Sequence, residues 1–179
     1  EPKDGDRILE IDPASTFGTG QHHTTKMVME MLEDVISGGE RVLDLGCGSG
    51  ILSIAALLLG AREVAICDIF ENAVKTAAEN IEKNKFTSFN AYCGNIIEDK
   101  ALREKIGGGY DVICANIVAD VIIAMSPLVE EFLNDGGKLM VSGVTDERVD
   151  EVTAALSENG WKVVNAKNEE GWNCILLEG

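Results

Sequence analysis

A short glycine-rich loop between a predicted strand and a predicted helix constrains the fold more than any other feature of the sequence. The segment Asp44–Gly50, of sequence DLGCGSG, follows the apolar run Val42–Leu45 and opens the helical pattern Ile51–Leu59. Glycines at alternate positions let the backbone turn tightly and bring a ligand close to the helix N-terminus. A strand, a glycine loop and a helix in this order predict the nucleotide-binding turn of a doubly wound α/β sheet.

Helical patterns and short apolar runs alternate along the chain. From His22 to Ile36, apolar pairs recur every four residues and predict an amphipathic helix that ends before Gly38-Gly39. The alternation continues through Val42–Leu45, Ile51–Leu59, Val64–Cys67, Glu71–Asn84, Phe89–Cys93, Asp99–Ile106, Asp111–Ala115, Asp120–Leu133, Lys138–Ser142 and Asp146–Asn159. This order predicts a mostly parallel sheet with helices on both faces. Two further strand runs, Trp161–Ala166 and Trp172–Leu177, are separated by a short polar loop and predict a hairpin, so we expect the last strand to be antiparallel.

A chain of 179 residues has the length of a single domain. Residues 1–20 are rich in turn-forming residues, which predicts a lead-in segment, and residues 21–179 are predicted to form the domain itself. No linker or repeat divides the chain further.

The net charge of the sequence limits the kinds of molecule that we expect it to bind. The sequence has 31 acidic and 15 basic residues, a formal charge of -16. A surface this negative repels phosphate backbones and anionic lipids, so we expect no direct contact with nucleic acid and no membrane association. A basic protein is an electrostatically favourable partner, whereas the sequence does not indicate an oligomeric state.

The cysteine pattern indicates a reducing compartment. The five cysteines include no C-x-x-C pair, and no nearby histidine completes a metal-ligand set. Cys67, Cys93, Cys114 and Cys174 lie in apolar strand runs, so we expect buried, reduced thiols and a cytoplasmic protein.

The residues around the glycine loop indicate the class of ligand. Ile51 stands where the dinucleotide fingerprint needs its third glycine, and the carboxylate of Asp44, two residues before Gly46, would repel a pyrophosphate. Asp68 ends the next strand run, 22 residues after Gly46, where a carboxylate can accept hydrogen bonds from both ribose hydroxyls. The pattern predicts an adenosine-type ligand that lacks phosphate and carries a cationic end.

These motifs resemble a known family. Asp44–Gly50 and Asp68 look like the first two motifs of the class I S-adenosylmethionine-dependent methyltransferases. The segments that resemble, more narrowly, the PrmA-type ribosomal-protein methyltransferases are Ile11–Pro13, Phe17–Gly20, His22, Thr24-Thr25, Ala115–Ala119, Ser142–Val144, Glu169-Glu170 and Trp172. The resemblance covers essentially the whole chain.

The resemblance implies a seven-stranded Rossmann-like sheet with an antiparallel last strand, S-adenosyl-L-methionine as cofactor and a large-subunit ribosomal protein as substrate. The family also carries a separate N-terminal substrate-recognition domain, and we expect none of it within this sequence. The chain is then either a fragment or a stand-alone relative with another substrate.

Several residues are expected to bind the cofactor. Besides Asp44, Gly46, Gly48, Gly50 and Asp68, the resemblance places Thr25, Phe17, Asn95 and Asn116 against it. Each has a purely structural alternative. Thr25 can be a helix cap, Phe17 a core residue and Asn95 a turn residue.

Asn116 is the predicted catalytic residue. It ends a strand run, and the carboxyl ends of strands face the ligand crevice in this architecture. The following Ile117-Val118-Ala119 replaces the Pro-Pro-aromatic sequence of relatives that methylate bases or glutamine, which removes a stacking surface and favours a flexible lysine amine. The alternative is that Asn116 caps the next helix.

The sequence thus predicts methyl transfer from S-adenosylmethionine to a protein amine, a lysine of a ribosomal protein. The side chains of the adjacent His22 and His23 would point in different directions on a helix, so neither a catalytic pair nor a metal site is expected. Three alternatives remain: a methyltransferase with another acceptor, a catalytically silent cofactor-binding module, and a nicotinamide dehydrogenase.

Overall fold

The computed structural model describes residues 8–12 and 22–179, which form seven strands and six α-helices. The strands are β1 Arg41–Leu45, β2 Glu63–Asp68, β3 Phe89–Cys93, β4 Tyr110–Asn116, β5 Leu133–Thr145, β6 Lys162–Glu169 and β7 Trp172–Glu178. The helices are α1 His23–Val35, α2 Ile51–Leu59, α3 Glu71–Lys83, α4 Lys100–Ile106, α5 Ala119–Met125 and α6 Val149–Glu158, with a 3-10 turn at Val129–Phe132.

The strands form one sheet in the order β3-β2-β1-β4-β5-β7-β6. β1 to β5 are parallel to one another, and β7 runs antiparallel between β5 and β6. The predicted doubly wound sheet with an antiparallel last strand is confirmed. The chain leaves β1 toward β2 on one side and later returns as β4 on the other, so β1 and β4 flank the point where strand order reverses.

Successive side chains of a strand point to opposite faces of the sheet, so a separate hydrophobic core forms on each face. On one face, Val42 and Cys114 pack with residues of α1, α2 and α3, such as Leu32 and Ile54. On the other face, Leu43 and the other buried strand residues pack against α4, α5 and α6. Continuous burial of β1, β4 and the centre of β5 on both faces explains their long apolar runs.

The predicted single helix Asp120–Leu133 is wrong. The structure ends α5 at Met125, places a 3-10 turn after it and begins β5 at Leu133. Pro127 has no N–H to donate to Ile123, so the helix cannot continue through this position.

The cysteine prediction holds for three of the four strand residues. Cys67, Cys114 and Cys174 are buried, and burial raises the pKa of Cys67 and Cys174 to about 12. Cys93 is exposed because β3 is an edge strand, whereas Cys47 in the glycine loop is buried. Within the described residues, no helix has the length and hydrophobicity needed to cross a bilayer.

The described part of the lead-in is attached to α3 by two asparagines. Asn80 Oδ1 accepts from the N–H of Asp12 at 2.8 Å, and its Nδ2 donates to the carbonyls of Asp12 and Ser49 at 3.3 and 2.9 Å. Asn84, one helical turn later, pairs in the same way with the backbone of Glu10. Because Asn80 also contacts Ser49, it ties the lead-in to the glycine loop.

We expect Asn80→Ala to lower the free energy of unfolding by about 1–3 kcal/mol, because it removes the hydrogen-bond partner of backbone groups in two segments. Urea denaturation of the purified chain measures the change. Lys75→Ala, on the exposed side of the same helix, should stay within about 0.5 kcal/mol of the parent. Equal losses in the two variants would contradict the bridging role of Asn80.

Candidate active site at the carboxyl edge of the sheet

The glycine loop follows β1 and is held against the end of β2. The N–H groups of Gly46 and Cys47 donate to the carbonyl of Cys67 at 2.8 and 3.2 Å. Gly46, Gly48 and Gly50 have φ angles of +75°, +51° and +80°. This left-handed region costs glycine nothing and costs other residues about 1–2 kcal/mol. The three glycines therefore allow the loop to curl into the N-terminus of α2.

Two of these glycines are also required by contacts inside the protein. A Cβ on Gly46 would overlap Ile117 Cγ2, and a Cβ on Gly50 would lie 3.0 Å from Cα of Ala77 in α3. A side chain at either position would therefore push the loop away from its neighbours. The predicted contacts of Gly46, Gly48 and Gly50 with a cofactor stay predictions.

Asp44 is a buried carboxylate near the end of β1, only 1% exposed. Its Oδ2 accepts a hydrogen bond from Ser53 Oγ of α2 at 2.7 Å, and its Oδ1 has no hydrogen-bond partner among the described residues. Desolvation by burial, reinforced by the charge of Asp68, raises the pKa of Asp44 to about 6. A buried acceptor without a partner is the kind of group that a cationic ligand would satisfy.

Asp68, the last residue of β2, is half-buried and held by two backbone donors. Its Oδ2 accepts from the N–H of Gly48, and its Oδ1 from the N–H of Phe70, both at 3.1 Å. Each carboxylate oxygen accepts more than one hydrogen bond, so both keep capacity for ligand hydroxyls. The geometry therefore suits the predicted ribose contact.

Two exposed apolar side chains lie beside Asp68 and were not predicted from the sequence. Ile69 and Phe70 are 58% and 67% exposed, directly after the strand-end carboxylate. The sequence feature that could have indicated them is a pair of large apolar residues in a loop, outside any pattern of core residues.

Asn95, after β3, accepts from the N–H of Ile97 through Oδ1 at 3.0 Å. This is the turn geometry considered as the alternative, and its side-chain NH₂ has no partner among the described residues.

Asn116, the last residue of β4, links the sheet to α1. Its Nδ2 lies 3.3 Å from Thr24 Oγ1 and 3.4 Å from Thr25 Oγ1, in threonines that are 4% and 2% exposed. No described residue donates a hydrogen bond to its Oδ1. The capping alternative is wrong, because α5 begins at Ala119 with Val118 as its cap residue and no side-chain cap.

The backbone after Asn116 lies close to β5. The N–H of Ile117 donates to the carbonyl of Ser142 at 3.1 Å. A Cβ on Gly143, which has a φ of +83°, would lie 2.6 Å from the carbonyl oxygen of Ile117 and 3.2 Å from Asn116 Oδ1. Glycine at this position therefore allows two hydrogen-bond acceptors, the Ile117 carbonyl and Asn116 Oδ1, to lie close to the backbone of β5.

His22 and His23 do not act as a pair. Their ring centroids are 6.3 Å apart, and His22 packs edge-to-face on Trp172 with centroids 5.0 Å apart. His23 Nδ1 lies 3.2 Å from Glu169 Oε1, which also binds Lys26 Nζ at 2.9 Å. The structure thus places Trp172 beside His22, a contact that sequence analysis missed because the two residues are 150 positions apart.

The fold brings most of the predicted site residues to one edge of the sheet. Those at or beside the β1 and β4 ends are Thr25, Asp44, Gly46, Gly48, Gly50, Asp68 and Asn116. Asn95 follows the neighbouring edge strand, and Phe17 lies outside the described residues.

The comparisons with known proteins identify the family. The family described as ribosomal protein L11 methyltransferase (PrmA) matches residues 1–178. The chain belongs to the ribosomal protein L11 methyltransferase family. A ribosomal protein L11 methyltransferase of Agathobacter rectalis is 41% identical over 187 residues, which cover 99% of this chain and 57% of that protein. The chain therefore spans little more than half the length of that protein.

Solved structures support the same fold. The crystal structure of a ribosomal protein L11 methylase from Lactobacillus delbrueckii subsp. bulgaricus has a TM-score of 0.85 at 29% identity, covering 96% of this chain and 84% of that chain. A second structure, of SMU.776 complexed with SAH, has a TM-score of 0.75 at 13% identity and covers 89% of this chain and 50% of that chain. The second likeness shows the fold alone. The resemblance to the L11 methyltransferase family and the Rossmann-like fold are confirmed.

The buried carboxylate of Asp44 predicts a pH dependence of stability. Its pKa is about 6 in the folded chain and near 3.8 in the unfolded chain, so the folded state holds the proton more tightly. The resulting stabilisation is present below about pH 4 and is lost as pH rises through 6, about 3 kcal/mol in all at 1.36 kcal/mol per pKa unit. Asp44→Asn should lack this component.

Urea denaturation from about pH 4 to pH 7 measures the difference between the parent and Asp44→Asn. Asp135→Asn, at an exposed position, should keep the parent's pH dependence. Parallel stability curves for the parent and Asp44→Asn would show that Asp44 does not titrate in this range.

Proposed function

We propose that the chain is the methyltransferase domain of an enzyme that transfers methyl groups from S-adenosyl-L-methionine to a lysine amine of ribosomal protein L11. The observation that carries the proposal is the position of Asn116. Its Oδ1 lies beside the Ile117 carbonyl at the end of β4, next to β1, which carries Asp44 and leads into the glycine loop. Family membership and the printed names of the relatives support the choice of substrate.

The residues present fit the proposed cofactor. The unpartnered Oδ1 of Asp44 is buried, and no described cation lies within ion-pair distance of Asp44 or Asp68. Two carboxylates without a counter-ion favour a ligand with a positive end over one with a pyrophosphate. This argument favours a methyl donor over a nicotinamide dinucleotide.

Each part of the cofactor has a candidate partner. Asp68 would accept hydrogen bonds from the ribose hydroxyls, and Phe70 and Asn95 would contact the adenine. Asp44 and Thr25 would hold the amino-acid end near the glycine loop. When bound, S-adenosylmethionine supplies a methyl group on a sulfonium, which is a good leaving group.

The protein's own part in the reaction is to place a neutral amine. Asn116 Oδ1 and the Ile117 carbonyl would accept its N–H groups, which aims the nitrogen lone pair at the methyl carbon. Alignment of this kind accounts for several kcal/mol of barrier lowering in many enzymes. A lysine ammonium that leaves water also loses its proton more readily, because burial disfavours the charged form.

The charge of the chain agrees with a basic acceptor. A formal charge of -16 raises the local concentration of cationic protein segments. A cytoplasmic location, expected from the cysteine pattern, stays a prediction.

We expect calorimetric titration with S-adenosylhomocysteine to show saturable binding, and NADH to show none. Asp68→Ala should weaken binding at least about 100-fold, because it removes the ribose acceptors and leaves buried ligand hydroxyls unpaired. Glu98→Ala, an exposed carboxylate on the same edge of the sheet, should bind like the parent. Unchanged affinity in Asp68→Ala would refute the ribose assignment, and binding of NADH would support the dehydrogenase alternative.

We expect Asn116→Ala to lower kcat for methyl transfer to L11 by about 10- to 100-fold, with a much smaller change in affinity for S-adenosylhomocysteine. Transfer of radiolabelled methyl groups to purified L11 gives kcat, and calorimetry gives the affinity. Asn90→Ala, an exposed asparagine in β3, serves as the matched control. Binding by the parent without transfer to L11 or to lysate proteins would identify a silent cofactor-binding module.

A further inference from the structure

A buried threonine connects a histidine at the rim of the site to the amide of Asn116. Thr24 Oγ1 lies 2.8 Å from His22 Nδ1 and 3.3 Å from Asn116 Nδ2. Thr24 is 4% exposed, His22 is exposed, and both hydrogen bonds are partly buried. The three side chains form a continuous chain of hydrogen bonds from the start of α1 to the end of β4.

The direction of this chain is determined by a backbone group. The N–H of Thr24 donates to His22 Nδ1 at 3.3 Å, as the N-cap bond of α1. A backbone amide can only donate, so Nδ1 must be an acceptor and the proton of the neutral ring lies on Nε2. The Thr24 hydroxyl, which also meets Nδ1, must then donate its single proton to it.

This hydrogen bond uses the hydroxyl proton of Thr24, which is the only proton that its side chain can donate. Its Oγ1 can therefore only accept from Asn116, so the amide must present its NH₂ group to Thr24. A second buried hydroxyl, that of Thr25, lies 3.4 Å from the same NH₂ group. The carbonyl oxygen of Asn116 is thereby turned toward Gly143, next to the carbonyl of Ile117.

We propose that His22 and Thr24 are positioning residues for methyl transfer, since they hold Asn116 in the one orientation that presents an acceptor to the substrate amine. This inference rests on the proposed function. If the amide were reversed, its NH₂ would face the amine, and two donors would oppose each other. The chain of bonds thus assigns His22 an orienting role that requires neither proton transfer nor metal binding.

The tautomer of His22 tests the geometry without any turnover. In ¹⁵N-labelled parent protein at about pH 8, where free imidazole is neutral, two-bond ¹H–¹⁵N spectra distinguish a protonated from an unprotonated Nδ1. The proposal expects the proton of His22 on Nε2. A proton on Nδ1 would overturn it, whatever the activity of the protein.

The role in transfer is tested with Thr24→Val and Thr24→Ser. Valine keeps the shape of threonine and removes the hydroxyl, so kcat for L11 methylation should fall about 10- to 100-fold while affinity for S-adenosylhomocysteine stays within about twofold. Serine keeps the hydroxyl and should restore kcat to within about threefold of the parent. Thr153→Val, on α6 and away from the site, is the matched control.

The outcomes separate the two proposals. If the parent binds S-adenosylhomocysteine but methylates no L11, the proposed function fails and this inference fails with it. If the parent is active and Thr24→Val has the same kcat, only the positioning role is overturned. Equal losses in the valine and serine variants would also overturn it, because the hydroxyl would then not be the group that matters.

Discussion

The pairing of β1 with β4 fixes the positions of the glycine loop and Asn116 in the candidate site. Their parallel register carries Leu45 alongside Ala115, so the glycine loop and Asn116 leave adjacent strands at the same edge. The two loops then approach each other until Ile117 fills the space that a side chain on Gly46 would need. In sheets of this type, ligands bind where the chain turns to opposite sides of the sheet, which here is after β1 and β4.

This edge of the sheet concentrates negative charge that no described residue neutralises. Asp44 is buried with one unpartnered oxygen, and Asp68 is held near it by backbone donors. The pKa of Asp44 is raised because burial makes its charged form less favourable in free energy. A ligand with a positive end would relieve both the missing hydrogen bond and the repulsion between the carboxylates. Stability and ligand affinity therefore oppose each other at this position.

Helix α1 belongs to the site although it precedes the sheet in sequence. Its first turn meets Asn116 through Thr24 and Thr25, and Ser142 Oγ lies 3.5 Å from the carbonyl of Thr24. At the rim, Lys26 binds Glu169 of β6, so the same turn is attached to the hairpin at the far side of the sheet. The start of α1 is thus held between β4, β5 and β6, where a small movement would alter the orientation of the Asn116 amide.

The amino-acid sequence by itself determined the fold class, the order of the elements and the glycine loop with its strand-end Asp68. These depend on local periodicity, on backbone freedom at Gly46, Gly48 and Gly50, and on short spacings. A family resemblance spread over the whole chain supplied Thr25 and Asn116. The helix that Pro127 interrupts was mispredicted because hydrophobic periodicity continues where a backbone donor is missing.

Only the tertiary structure decided which groups face each other and which are left without a partner. The unsatisfied oxygen of Asp44, the exposure of Phe70 and the contact of His22 with Trp172 depend on residues that are distant in sequence. The direction of the bonds from His22 to Asn116 likewise follows from one backbone N–H at the start of α1. Packing and hydrogen bonding between elements have no local pattern, so they appear only once the chain has folded.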